Sequence, residues 1–241
     1  MRCWHWPTPE SANLLPRRKP PSRQSPDGAR PRMVKKLVIA SNNPGKLQEI
    51  SQILAPLSVE TVPQSELGVP EAAEPHATFV ENALAKARHA AAFTGLPALA
   101  DDSGLCVNAL GGAPGVHSAR YAGDPRSDER NNAKLLAVLG GRRDREAHYY
   151  CIIVLLRDVQ DPKPLIAQGL WRGEILHAPR GSGGFGYDPL FLDVSSGQSG
   201  AELAPPIKNL ISHRGRALAL LGDALKQGWF PLFSEAVRDA G

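Results

Sequence analysis

Between residues 37 and 54 the chain passes from a short apolar strand directly into a capped helix, and this junction narrows the choice of folds more than any other segment. Residues 37–40 are an uninterrupted apolar run, of the kind buried on both faces of a sheet. Ser41-Asn42-Asn43-Pro44 follows, and then Leu47, Ile50, Ile53 and Leu54 recur at helical spacing. Asn43 is placed to cap that helix. Pro44 is suited to open it, because the N–H it lacks is one the first turn leaves unbonded in any case. A strand that feeds a helix in this way begins a layered α/β structure.

The rest of the chain repeats the alternation with one interruption. Residues 59–62, with Val59 and Val62 at their ends, lead into an acidic stretch with Glu66, Glu71 and Glu74. Thr78-Phe79-Val80-Glu81 has capping-box spacing and predicts a helix through Asn82, Lys86 and several alanines to about Phe93. Residues 96–100 predict a strand that stops at Asp101-Asp102, with Ser103-Gly104 turning the chain. Residues 111–115 are too rich in Gly and Pro for regular structure, and Ser127 is placed to cap a helix ending near Gly140. Residues 147–156 and 164–171 predict an antiparallel pair of strands joined by a turn at Asp161-Pro162. A second Gly-rich loop, 181–186, precedes Tyr187-Asp188-Pro189, and Ser212 caps a last helix carrying Ala217, Leu218, Leu221 and Leu225. The expected fold class is α/β, with a mixed sheet flanked by helices.

The net charge of +4 suggests a polyanionic partner until the charge is located. Residues 1–32 hold seven basic and two acidic side chains of the chain's 28 and 24, so the remaining body is close to neutral. That stretch also holds seven prolines and no apolar periodicity, and it reads as a disordered extension; residues 33–241, opening at Met33, read as one domain. The body therefore has no electrostatic reason to bind nucleic acid. No apolar run approaches the roughly 20 residues that span a bilayer, so no membrane partner is expected. Cys3, Cys106 and Cys151 are scattered and form no CxxC pair, which argues against a disulfide framework or a zinc site and for a reducing, cytoplasmic setting.

Several segments could carry chemistry. Ser41-Asn42-Asn43-Pro44-Gly45-Lys46 lies where a strand meets a helix N-terminus, a natural anion site with Lys46 adding a full charge; taken alone, the segment reads more simply as a plain capped helix with a solvated lysine, because capping chemistry is common. Asn82 and Lys86 share a helix face, with Glu74 just upstream. Asp101 and Asp102 close an apolar strand, a common source of Mg²⁺ ligands and general bases, although turn chemistry also explains them. Phe185 sits among glycines that allow close approach of a ligand, and a ring held there can stack on a nucleobase. Lys208, His213 and Arg214 add N–H donors suited to carbonyl or phosphate oxygens. Together these are the parts of a Mg²⁺-dependent nucleotide enzyme.

In this order, Ser41-Asn42-Asn43-Pro44-Gly45-Lys46, Thr78-Phe79-Val80-Glu81-Asn82-Ala83, Ala100-Asp101-Asp102-Ser103-Gly104-Leu105, residues 111–121, residues 183–191 and Ser212-His213-Arg214-Gly215 resemble the Ham1/RdgB family of inosine triphosphate pyrophosphatases, over essentially all of residues 35 to about 227. The resemblance implies an elongated mixed sheet with two lobes around a central cleft, usually in a homodimer. It implies hydrolysis of ITP, dITP and XTP to the monophosphate and pyrophosphate with Mg²⁺. By motif, Ser41, Asn42, Asn43, Pro44, Gly45 and Lys46 would hold the triphosphate, and Lys86 would add charge. Asp102 would be proton acceptor and metal ligand, Glu74 a second metal ligand, and Ser103 a substrate contact. Phe185, Gly186, Tyr187, Asp188, Lys208, His213 and Arg214 would bind the nucleoside end. Three features depart from the family pattern: the basic extension, His117 in place of an aromatic, and Pro205-Pro206 ahead of Lys208. Readings that change the base, or that make the chain a nucleic-acid binder through its extension and Phe185, compete with this one.

Overall fold

The computed structural model describes residues 36–57 and 59–227. The extension at 1–32, with Met33 and Cys3, lies outside the described residues. Strand β1 (Lys36–Ile39) leads into α1 (Pro44–Leu54), then β2 (Glu60–Pro63), α2 (Phe79–Thr94) and β3 (Ala98–Val107). Helix α3 (Asp128–Leu139) precedes the long strands β4 (Glu146–Leu156) and β5 (Leu165–Ile175). Two short strands, β6 (Phe191–Asp193) and β7 (Gln198–Ser199), and two helices, α4 (Pro205–Ile211) and α5 (His213–Lys226), complete the order. The sheet runs β2-β1-β3-β4-β5-β6-β7. Strand β1 is parallel to both its neighbours and every later pairing is antiparallel, so the sheet is mixed as expected.

Local chemistry sets the helix starts. Asn43 Oδ1 accepts from the Gly45 and Lys46 amides with Pro44 in the first turn, and Thr78, Ser127 and Ser212 cap α2, α3 and α5 through their hydroxyls. Helices α1 and α5 cover one face of the sheet, burying Ile50, Leu54, Leu218 and Leu221 against Leu37, Ile39, Leu99 and Ile153. Each such side chain contributes about 1.5–3 kcal/mol on burial. Helix α2 covers the other face with Ala83, Ala87, Ala90 and Ala91, small residues that let it lie close to Val38, Ala100 and Val154.

The expected turn at Asp101-Asp102-Ser103-Gly104 is not there. Strand β3 continues through it to Val107, paired with β4 along its whole length. Each carboxylate meets cations on its own side of the sheet, which removes the repulsion that made a strand end look natural. Gly104 serves a close approach rather than a turn: a Cβ there would fall 2.2 Å from the Gly115 carbonyl oxygen. Strand β5 likewise runs past Trp171 to Ile175. Pro205 and Pro206 open α4, where proline is well suited, and the helix carries Lys208 inward to a buried position. A Cβ at Gly169 would lie 1.9 Å from the His213 carbonyl oxygen, so this bare stretch of β5 lets the start of α5 rest on the sheet and fixes His213 and Arg214.

Candidate active site

One cleft of about 620 Å³ opens where β1 and β3 meet α1, α2 and the 183–188 loop. Ser41, Asn42, Asn43, Pro44, Gly45 and Lys46 all line it. The first-turn amides of Gly45 and Lys46 already bond Asn43, Asn43 N bonds Ser41 Oγ, and Gln64 Nε2 donates to Asn42 Oδ1 at 3.0 Å. These bonds tie the loop's backbone to its own side chains, and Lys46 projects from it to pair with the buried Asp101 carboxylate.

Across from this loop, Lys86 Nζ lies 2.8 Å from both Asp102 Oδ1 and Glu74 Oε1. Asn82 holds Glu74 in reach indirectly: its side chain bonds the amide and the carbonyl of His76, tying the acidic loop to α2. Burial pushes the Asp102 carboxyl up, with Lys86 and Lys46 opposing and Glu74 assisting. Burial would also raise Glu74, but Lys86 outweighs it and holds that carboxyl below its usual value. Asp102 Oδ2 is buried with no partner among the described residues.

Asp101 faces the other side of the sheet. Its carboxylate is paired with Lys46, with Arg214 Nε at 3.1 Å and with the Cys151 thiol at 3.3 Å. Although burial opposes ionisation, Arg214 and then Lys46 hold Asp101 far below the ordinary carboxylate range. Arg214 also donates to Glu49 and, at 2.9 Å, to Ser103 Oγ. Glu49 bridges onward to Lys208 Nζ at 3.0 Å, and Lys208 reaches Asp188 Oδ2 at 2.7 Å. The two neighbouring carboxylates therefore do different work: Asp101 anchors cations, whereas Asp102 keeps an oxygen free.

At the far end the Phe185 ring lies over Lys208 Nζ at 4.9 Å and Arg214 at 5.8 Å, and it packs on Gly45, where a Cβ would fall 2.5 Å from the ring. Phe185, Gly186, Tyr187 and Asp188 all line the cleft, but Tyr187 OH is committed to the Ser118 carbonyl and Asp188 to the Phe185 amide and Lys208. His213 is stacked on Tyr149 at 4.6 Å, and burial pushes its imidazole well below its ordinary value. It stays neutral and offers one N–H, fewer donors than its place beside Arg214 suggested. His117 is exposed and does not line the cleft. Glu49, Asp128, Arg120 and Arg126 were not singled out from the sequence, yet all sit in or against the cleft. Charged residues on helices and loops ordinarily face solvent, so their spacing carried no signal.

The carboxylates suit a hard divalent cation. No group of three or more His, Cys, Asp or Glu among the described residues could cage a metal, while Asp102 presents an unpartnered buried oxygen next to Glu74. Mg²⁺ is commonly held by one or two carboxylates with the substrate's phosphates completing its shell. Among the described residues no helix is long and apolar enough to cross a membrane. Cys106 and Cys151 are free thiols.

Comparison with known proteins bears on the whole body of the chain. Residues 37–224 match the model of the Ham1 family. A dITP/XTP pyrophosphatase of Nitrosomonas europaea is 66% identical over 192 residues, covering 80% of this chain and 95% of its own. One of the same name from Ralstonia nicotianae is 60% identical over 196 residues, covering 80% and 98%. The structure of a HAM1 protein from Coxiella burnetii superposes with a TM-score of 0.75 at 49% identity, covering 80% of this chain and 99% of that one.

Proposed function

The chain belongs to the Ham1 family, and on that basis we propose that it hydrolyses non-standard purine nucleoside triphosphates, ITP, dITP and XTP, to the monophosphate and pyrophosphate. The relatives' names support the substrate class. The observation that carries the reading is the placement of Asp102, paired with Lys86 and keeping a free buried oxygen, in the same cleft as an aromatic ring over two cations.

The mechanism follows from what each side chain can do. Lys46 and Lys86 attract the triphosphate and offset charge that builds on the phosphoryl group in the transition state. Asp102 accepts the proton of the water that attacks the α-phosphorus; its carboxyl, pushed up by burial, is a better base than an exposed one. Asp102 and Glu74 would hold Mg²⁺, which when bound polarises phosphate oxygens and acidifies water. Lys86, shared by both carboxylates, favours the ionised form of each and orients them.

Base selection rests on donors at the nucleoside end. Lys208 has two N–H groups engaged by carboxylates and Arg214 has three donors engaged, which leaves one and two free. Donors aimed at the 6-keto oxygen of hypoxanthine or xanthine would meet the amino group of adenine, and unpaired polar groups of that kind discriminate by orders of magnitude. A cytoplasmic homodimer belongs to the same proposal, and the two free thiols suit a reducing compartment.

Ion-exchange analysis of products from ITP, XTP, GTP and ATP, with and without Mg²⁺, tests the reading. IMP and pyrophosphate from ITP, with little product from ATP, are expected. IDP and phosphate would place cleavage at the γ-phosphorus and refute it.

A further inference from the structure

Helix α3 presents Asp128, Asn131 and Asn132 at spacings of three and four, a polar stripe on one helical face. All three side chains bond the backbone of other segments. Asn131 accepts from the Ala122 amide at 2.7 Å and donates to the carbonyls of Ser118 and Ala119. Asp128 Oδ2 accepts from Gly186 N at 2.7 Å, and Asn132 Nδ2 donates to Gly186 O at 2.9 Å. Both peptide groups of one glycine are therefore gripped by one helix, more than fifty residues away in sequence. Gly186 has φ +65°, a left-handed conformation with no preference to return to once released. From the other side Asp188 holds the Phe185 amide at 2.8 Å.

From this geometry we infer that Asp128 and Asn132 are positioning residues for the purine-stacking ring. They touch neither the phosphate lysines nor Asp102. Through Gly186 they set the orientation of Phe185 against Gly45 and over Lys208 and Arg214. This rests on the nucleotide-binding reading above, and it adds that affinity for the nucleoside half of the substrate is set from α3. Removing the charged acceptor on Gly186 N releases the loop and costs on the order of tenfold in nucleotide binding.

The test compares the full chain with Asp128→Ala, Asn132→Ala, Asp128→Asn and Ser127→Ala. For the two alanine variants of the grip, KM for ITP and XTP rises about tenfold with kcat little changed, and inhibition by inorganic pyrophosphate, which has no base, keeps its wild-type constant. Asp128→Asn retains an acceptor oxygen and recovers most of the affinity. Ser127→Ala weakens the cap of the same helix and lowers Tm with KM unaltered, which separates the grip from general loosening of α3. A parallel shift in kcat and in pyrophosphate inhibition, or an unchanged KM in Asp128→Ala, overturns the inference while leaving the proposed activity standing. A wild-type chain that turns over none of the nucleotides overturns both.

Discussion

Asp101 and Asp102 are adjacent in sequence, and the structure predicts that neutralising them has opposite consequences. Asp101 is fully buried, and its ionised form is held by Lys46 and Arg214. Asp101→Asn leaves those two cations without their shared counter-charge inside the protein, and breaking a buried pair from one side costs about 3–5 kcal/mol. For a folded body of this size each kcal/mol shifts Tm by about 2–4 °C, so a fall on the order of 10 °C is expected. Asp102 is in the reverse situation, since burial works against its charge and one oxygen has no partner. Asp102→Asn removes a destabilised charge, while Lys86 keeps Glu74. Tm should hold or rise, and kcat should fall by about 10²–10⁴, the usual value of a general base. Thermal unfolding and steady-state hydrolysis of XTP on the same two proteins decide the matter. If Asp102→Asn unfolds as early as Asp101→Asn, the division of labour between the two faces of β3 is wrong.

Three further outcomes are expected. Gly45→Ala drives a methyl into the Phe185 ring, and overpacking of about 1–3 kcal/mol raises KM roughly 5- to 150-fold; adding Phe185→Ala should recover part of the lost stability, and additive losses in calorimetry would refute the contact. Chelating divalent metal should abolish turnover and Mg²⁺ restore it, whereas full activity in excess chelator would remove the role given to Glu74 and Asp102. His213 is neutral in the fold and has its ordinary value of 6.5 when unfolded, so the unfolded state binds more protons below that pH. Its contribution to stability is present above about pH 6.5 and is lost as pH falls; urea unfolding from pH 8 to 5 should show one proton's slope more in the wild type than in His213→Gln.

What the sequence disclosed was mostly local. A cap is decided by one side chain and the next three residues, so Asn43, Thr78, Ser127 and Ser212 were readable without any knowledge of the fold. The path of β3 was not. Two adjacent acids argue for a turn unless cations meet each of them, and those cations come from Lys46, Lys86 and Arg214, far apart in the chain. Glu49 was hidden for the same reason: nothing on α1 marks it as the partner of two residues more than 150 positions later. Tyr187 and Asp188 were legible as part of the site by motif. That they hold the loop from within became visible only with the Ser118 carbonyl and Lys208 in place.

The reach of Arg214 and Lys208 back to Glu49, across 165 and 159 residues, has a consequence for how the protein is made. A chain synthesised from its N-terminus can form α1 and β1 early, but closing so long a loop is deferred until α4 and α5 have emerged. A fragment that ends before α4, however well packed its first strands, lacks both partners of Glu49. Turnover therefore reports that α5 has docked against α1.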